Sequence, residues 1–161
     1  MLSVIGNRLY ENFRSEEIEK ARLYIKKFKV DAFYEEITRC CWVSSVQYEL
    51  FIKNNSMLEI KLIGRNSRRI LKFHKTGRVY QEDYEHFIHL LKCSGIKKGI
   101  YITTGVFDKK VFKYNKEIAI PLGKKVILED GNDFIRRQLG FSDSAQKVFK
   151  DNGVKVYSYI P

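Results

Sequence analysis

Apolar residues along this chain first recur at intervals of three and four, then alternate with polar ones, then return in helix-like and strand-like blocks. Ser15 precedes Glu16 and Glu17, and Ile18, Ala21, Ile25 and Phe28 follow at helical spacing. This predicts an amphipathic helix over 16–29, with Ser15 as its cap and its acids at the positive end of the helix dipole. The stretch 33–41 reads as helical or extended, with Phe33, Ile37 and Cys40 as core contacts. Three β-prone runs follow at 46–53, 57–63 and 69–75, divided by the turn formers Asn54-Asn55 and Gly64-Arg65-Asn66-Ser67. They predict a meander in which Leu58, Ile60 and Leu62 face one way and Glu59, Lys61 and Ile63 the other.

Beyond Gly77 the pattern becomes helix, strand, helix, strand. Tyr84, Phe87, Ile88 and Leu91 form one stripe of a helix over 81–92, with Glu82 and Asp83 in its first turn. Strands are expected at 99–104 and 125–128, and helices at 108–114, 134–139 and 143–150. Asn132 or Asp133 is the expected cap of the helix over 134–139, Gly140 its stop, and a strand over 154–160 follows the Asn152-Gly153 turn. Alternation of this kind signals crossover connections and a sheet that becomes parallel in its second half. The expected architecture is one α/β domain over 1–161, with a central mixed sheet of about five or six strands flanked by helices.

Charge alters this picture most. Thirty Lys and Arg against 19 Asp and Glu leave a formal net charge of +11, more than the ~2–8 that keeps a small domain soluble. A polyanion is the expected partner, since basic side chains release counterions on binding phosphates. A codon bias toward lysine is the alternative source of the charge. Three cysteines, two of them adjacent, offer neither a metal-binding spacing nor a disulfide framework, and point to a reducing cytoplasmic or nuclear setting. No run approaches the ~18 apolar residues of a membrane span, so no membrane partner is expected.

The runs KKGIYITTGVF over 97–107 and KVILEDGNDF over 125–134 carry a family resemblance. A strand ending in Thr103-Thr104-Gly105, a short helix and a strand ending in Asp130-Gly131 resemble the second half of the Mrr-type restriction endonuclease domain, and the order of elements is similar over 16–139. The resemblance implies the restriction endonuclease-like fold, in which many members cut DNA with Mg²⁺. The family uses an acid on one strand and a Gln or Glu, any residue, Lys triplet on the next. Glu59 stands at the acid's position. The next strand offers Leu71-Lys72-Phe73, Lys72-Phe73-His74 or Phe73-His74-Lys75, and none of these supplies both an oxygen ligand and a lysine. Because Mg²⁺ is held by oxygen ligands, this implies a nuclease-like scaffold without an intact metal site and with no cofactor. An active Mg²⁺-dependent endonuclease would need Glu49, or Glu82 and Asp83, to join Glu59, with Lys72 and His74 in catalytic roles.

Lys61, Arg65, Arg68, Arg69, Lys72, Lys75 and Arg78 lie in a segment without a single acid. They are the first candidates for phosphate contact, extended by Lys97 and Lys98 and then by Lys109, Lys110, Lys113 and Lys116. The expected partner is nucleic acid, double-stranded DNA first, with a homodimer as one way to read a duplex. A solvated outer face, or a regulatory subunit meeting an acidic protein, is the rival reading. His86 and His89 read as outward-facing, Trp42 as a core anchor, and Tyr157 and Tyr159 as alternating residues of the last strand.

Overall fold

A computed structural model of the protein describes residues 2–151 and 153–161. In chain order the elements are α1 (Leu2–Phe13), α2 (Ser15–Lys27), α3 (Val30–Val43), β1 (Gln47–Lys53), β2 (Met57–Ile63), β3 (Arg68–His74), β4 (Arg78–Val79) and α4 (Gln81–Cys93). Then come β5 (Lys98–Thr103), β6 (Val106–Phe107), α5 (Lys109–Tyr114), a π turn (Asn115–Ala119), β7 (Lys125–Glu129) and α6 (Gly131–Leu139). The central sheet is mixed, with strand order β1-β2-β3-β5-β7. Its first three strands form the antiparallel meander, while β5 and β7 join in parallel through crossovers carrying α4 and α5. A second, two-stranded sheet pairs β4 with β6.

The period of two sorts the side chains of the sheet into two cores. Leu58, Ile60, Leu62, Leu71, Phe73, Ile100 and Ile102 meet α2, α3 and α6 on one face, where Phe33 stacks on Phe73 with centroids 4.3 Å apart. Ile70 and Tyr101 meet Tyr84, Phe87 and Leu91 of α4 and Val111 of α5 on the other. Glu59, Lys72 and His74 share this second face.

Three loops leaving the parallel strands stack on one another. The Val106 amide donates to Gly77 O at 3.1 Å, and the Gly131 amide donates to Gly105 O at 2.8 Å. A Cβ at Gly105 would stand 2.2 Å from Gly77 O, and one at Gly131 would stand 2.4 Å from Thr104 O. The Thr-Thr-Gly and Asp-Gly pieces thus have a packing reason: only glycine lets these backbones touch.

Several expectations need correction. The stretch 154–160 is not a strand but an irregular segment ending in a 3-10 turn, Tyr157–Tyr159. Its would-be strand partner is the buried side chain of Gln138, which donates to Lys155 O at 2.9 Å and accepts from the Lys155 amide. Asn152 of the expected Asn152-Gly153 turn lies outside the described residues. The expected helix over 143–150 is reduced to a short turn that widens into a π turn, Lys147–Asp151. Helix α6 is capped by Asp130, not Asn132 or Asp133: the Asp130 carboxylate accepts from the Asp133 amide at 2.9 Å. Arg14 precedes α2, and Ser15 makes no cap bond to it. Leu2–Phe13 form α1, and 33–41 is wholly helical within α3. Trp42 is 87% exposed, because the stripe Phe33, Ile37, Cys40 and Cys41 faces the core and the next residue turns away from it. No helix among the described residues is long and apolar enough to cross a membrane.

Candidate nucleic-acid interface

Strand alternation and register divide the basic residues of 61–78. Lys61 pairs with Glu49 at 3.0 Å, and Arg78 with Asp108 at 3.3 Å. Lys72 does not reach the surface: its ammonium lies 2.8 Å from Glu59 Oε1, with both side chains under a tenth exposed, and 5.1 Å from the centroid of the Tyr101 ring. Lys75 and Arg78 follow β3 at its carboxyl end, a whole strand away from Arg65, Arg68 and Arg69 at the other end.

At that other end a different arrangement emerges. Register partners run from Arg69 on β3 to Lys98 on β5 and on to Lys125 on β7, so three cations stand side by side on one sheet face. Adjacent strands lie ~4.8 Å apart, and like charges directly opposite one another weaken a sheet. None of the three forms an ion pair among the described residues. The Arg69 guanidinium donates to Tyr159 O at 3.3 Å, and its Nε is buried without a partner. Burial lowers the Arg69 pKa from its ordinary value. Arg65 is exposed on the β2–β3 turn, Arg68 leaves the opposite sheet face at the same end, and Lys97 precedes β5 in the open. Beside the ladder lies a groove of about 450 Å³ lined in part by Ile100, Val126 and Ile127.

Sequence reading found Arg65, Arg68, Arg69, Lys97 and Lys98 but missed Lys125. The only signal for it was position: each of the three ladder cations stands at the start of a strand of the parallel half, so a parallel register brings them level. Lys109, Lys110 and Lys113 belong to α5 and Lys116 to the π turn after it, none of them on the sheet strands that carry the ladder.

Of the acidic candidates, Glu59 and Asp83 both act on His74, but no three His, Cys, Asp or Glu side chains gather to hold a metal ion among the described residues. Glu59 faces the Lys72 ammonium, Glu49 faces Lys61, and Asp83 accepts from the Tyr80 amide at 3.1 Å in the first turn of α4. Glu82 is exposed. A Mg²⁺ ion needs several oxygen ligands, and at Glu59 a positive charge already stands against the carboxylate, so these residues do not fit the ion. His86 and His89 are exposed on α4, and His89 Nε2 lies 3.3 Å from Cys93 Sγ.

His74 belongs to the buried cluster. Its Nδ1 lies 2.9 Å from the Tyr101 hydroxyl, which burial keeps protonated by raising its pKa, and the imidazole tautomer sets which of the two donates. Burial first, and then the Lys72 ammonium, pushes the His74 pKa below its ordinary 6.5; Asp83 and Glu59 oppose this. The unfolded chain therefore binds a proton that the native chain refuses. Stability from this site is complete above the unfolded pKa of 6.5 and declines as pH falls through that value toward the native one. Between about pH 7.5 and about pH 5.5 the melting temperature should fall less in His74→Gln than in the wild type. Equal falls would show that His74 is not held neutral.

No family model matches the chain, and no curated protein matches it. A solved structure of a protein of unknown function, AF1548, is similar over 58% of this chain and 54% of its own length, with 9% sequence identity and a TM-score of 0.39.

Proposed function

We propose that the protein binds nucleic acid, double-stranded DNA first, through the cationic ladder Arg69–Lys98–Lys125 with Arg65, Arg68 and Lys97 around it. We read the scaffold as restriction endonuclease-like. The ladder carries the reading: three register-matched cations with no carboxylate among their partners weaken the sheet unless a polyanion neutralises them. Arg69, whose Nη1 already donates to Tyr159 O and whose Nε is buried, adds its delocalised charge, and the two lysines act as point charges.

Binding without cleavage is supported by the Glu59–Lys72 pair, in which the one carboxylate at the family's acidic position is already neutralised by a side chain. Lys61, Lys72 and Arg78 leave the interface, since each is paired with an acid.

Lys98→Ala/Lys125→Ala should reduce affinity for a DNA duplex on the order of tenfold or more at low salt. It should also flatten the dependence of log K on log[salt] by about 2, one unit for each phosphate that the variant no longer neutralises. Arg78→Ala should leave both quantities unchanged. Gel shifts or fluorescence anisotropy over a salt series decide the matter, and an unaltered slope in the double variant would remove the ladder as the site.

A further inference from the structure

A second basic concavity lies at the opposite end of the parallel strands, where the loops after β3, β5 and β7 meet α2 and α6. It measures about 570 Å³, within the ~300–1,000 Å³ of small-ligand sites, and it opens beyond the carboxyl ends of the strands, where open α/β sheets receive ligands. Its floor is preformed. The stacked backbones at Gly77, Gly105 and Gly131 are joined by the amide bonds already described, and no side chain occupies the space between them.

Two kinds of side chain line the walls. Arg22, Lys26 and Lys75 line one cavity, and of these only Lys26 and Lys75 bring a charge that no acid offsets, whereas Ile25, Val106 and Ile135 give it an apolar side, and no carboxylate lines it among the described residues. Arg22 is held in place by Glu19 and by Asn132, whose Oδ1 accepts from it at 3.1 Å. Lys26 and Lys75 form no ion pair or side-chain hydrogen bond among the described residues, although Lys75 is half-buried. Neither ammonium meets a carboxylate in the cavity among the described residues, so both keep their donors for an anionic ligand. The start of α6 adds little to this, because the Gly131 amide is taken by Gly105 O and the Asp133 amide by Asp130.

We propose that this cavity is a nucleotide site, separate from the ladder, with Lys26 and Lys75 on the phosphate, Arg22 forming the wall beside them, and Ile25, Val106 and Ile135 against the base or sugar. Cations beside an apolar wall match a ligand with one charged end and one flat apolar end. A free nucleotide and the phosphorylated end of a strand share that chemistry.

Titration calorimetry of the full chain with AMP, adenosine and inorganic phosphate tests the site. AMP should bind at least tenfold more tightly than either fragment, since each fragment meets only one wall. Lys26→Ala/Lys75→Ala should weaken AMP at least tenfold. Val106→Glu, which sets a carboxylate at the exposed mouth, should do the same while leaving the thermal transition in place. The ladder variant Lys98→Ala/Lys125→Ala should keep full AMP affinity, so failure of the ladder and failure of this site are read separately. Competition by a short 5′-phosphorylated oligonucleotide, but not by its unphosphorylated form, assigns the cavity to strand ends; absence of competition assigns it to free nucleotides. AMP that fails to saturate the wild type, or that binds both cavity variants as well as it binds the wild type, overturns the proposal.

Discussion

Gly105→Ala should lower the stability of the protein by more than about 4 kcal/mol, about a quarter or more of what holds an ordinary domain together. The reason is steric and the neighbour is backbone: the new methyl would stand 2.2 Å from Gly77 O and 2.4 Å from Thr76 O. A flexible side chain can swing aside, but here the loop after β3 must move bodily. That motion breaks the Val106-to-Gly77 and Asp108-to-Val79 amide bonds that hold β6 beside β4. Gly131→Ala should behave alike, its methyl being driven to 2.4 Å from Thr104 O. Gly99→Ala should lose less, about 1–3 kcal/mol, because the atoms it meets belong to the Phe87 and Leu91 side chains. Gly77→Ala, with nothing within 4 Å, is the internal control. Urea denaturation of the four variants gives the order directly, and a Gly105→Ala protein within about 1 kcal/mol of the wild type would show that the loops do not pack this closely.

Those glycines also explain why part of the architecture was legible and part was not. Alternation in Leu58, Ile60 and Leu62 and the stripe Tyr84, Phe87, Ile88 and Leu91 are local signals, and each led to the right element on the right face. The strand expected at 154–160 failed because alternation at Val154 and Val156 records burial, not pairing. A single buried amide, Gln138, meets the backbone that a neighbouring strand would otherwise meet. The basic run from Lys61 to Arg78 looked like one patch because sequence displays neighbours, not faces. Folding sends Lys72 inward and Lys75 and Arg78 to the far end of the sheet. Lys125 stayed hidden for the converse reason, since register between parallel strands is set by crossovers that local pattern does not measure. Arg22 and Lys26 escaped notice because on an amphipathic helix they read as the ordinary wet side of α2.

Lys72→Ala is expected to destabilise the protein by about 3–5 kcal/mol, and its interest lies in what restores it. The Glu59 carboxylate is nearly sealed from water, and its charge is met by the Lys72 ammonium at 2.8 Å. Removing the cation leaves an ionised group in an apolar setting, so the native state must protonate the acid, admit water or unfold. Replacing both members with apolar side chains of similar length, Glu59→Leu/Lys72→Met, removes the unmet charge and should recover most or all of the stability. The coupling energy from the double-mutant cycle would then be several-fold larger than the ~0.2–1 kcal/mol of an exposed pair such as Lys61–Glu49. Binding separates structure from chemistry in the same variants. The pair faces α4, whereas the ladder stands on the opposite face at the far end of β3. The restored double variant should therefore hold a DNA duplex with wild-type affinity and salt slope. Were Lys72 to touch a phosphate, or to serve as the lysine of a working metal site, the fold would return in that variant without the function. A refolded protein that no longer bound DNA would thus move the site from the strand starts to the centre of the sheet.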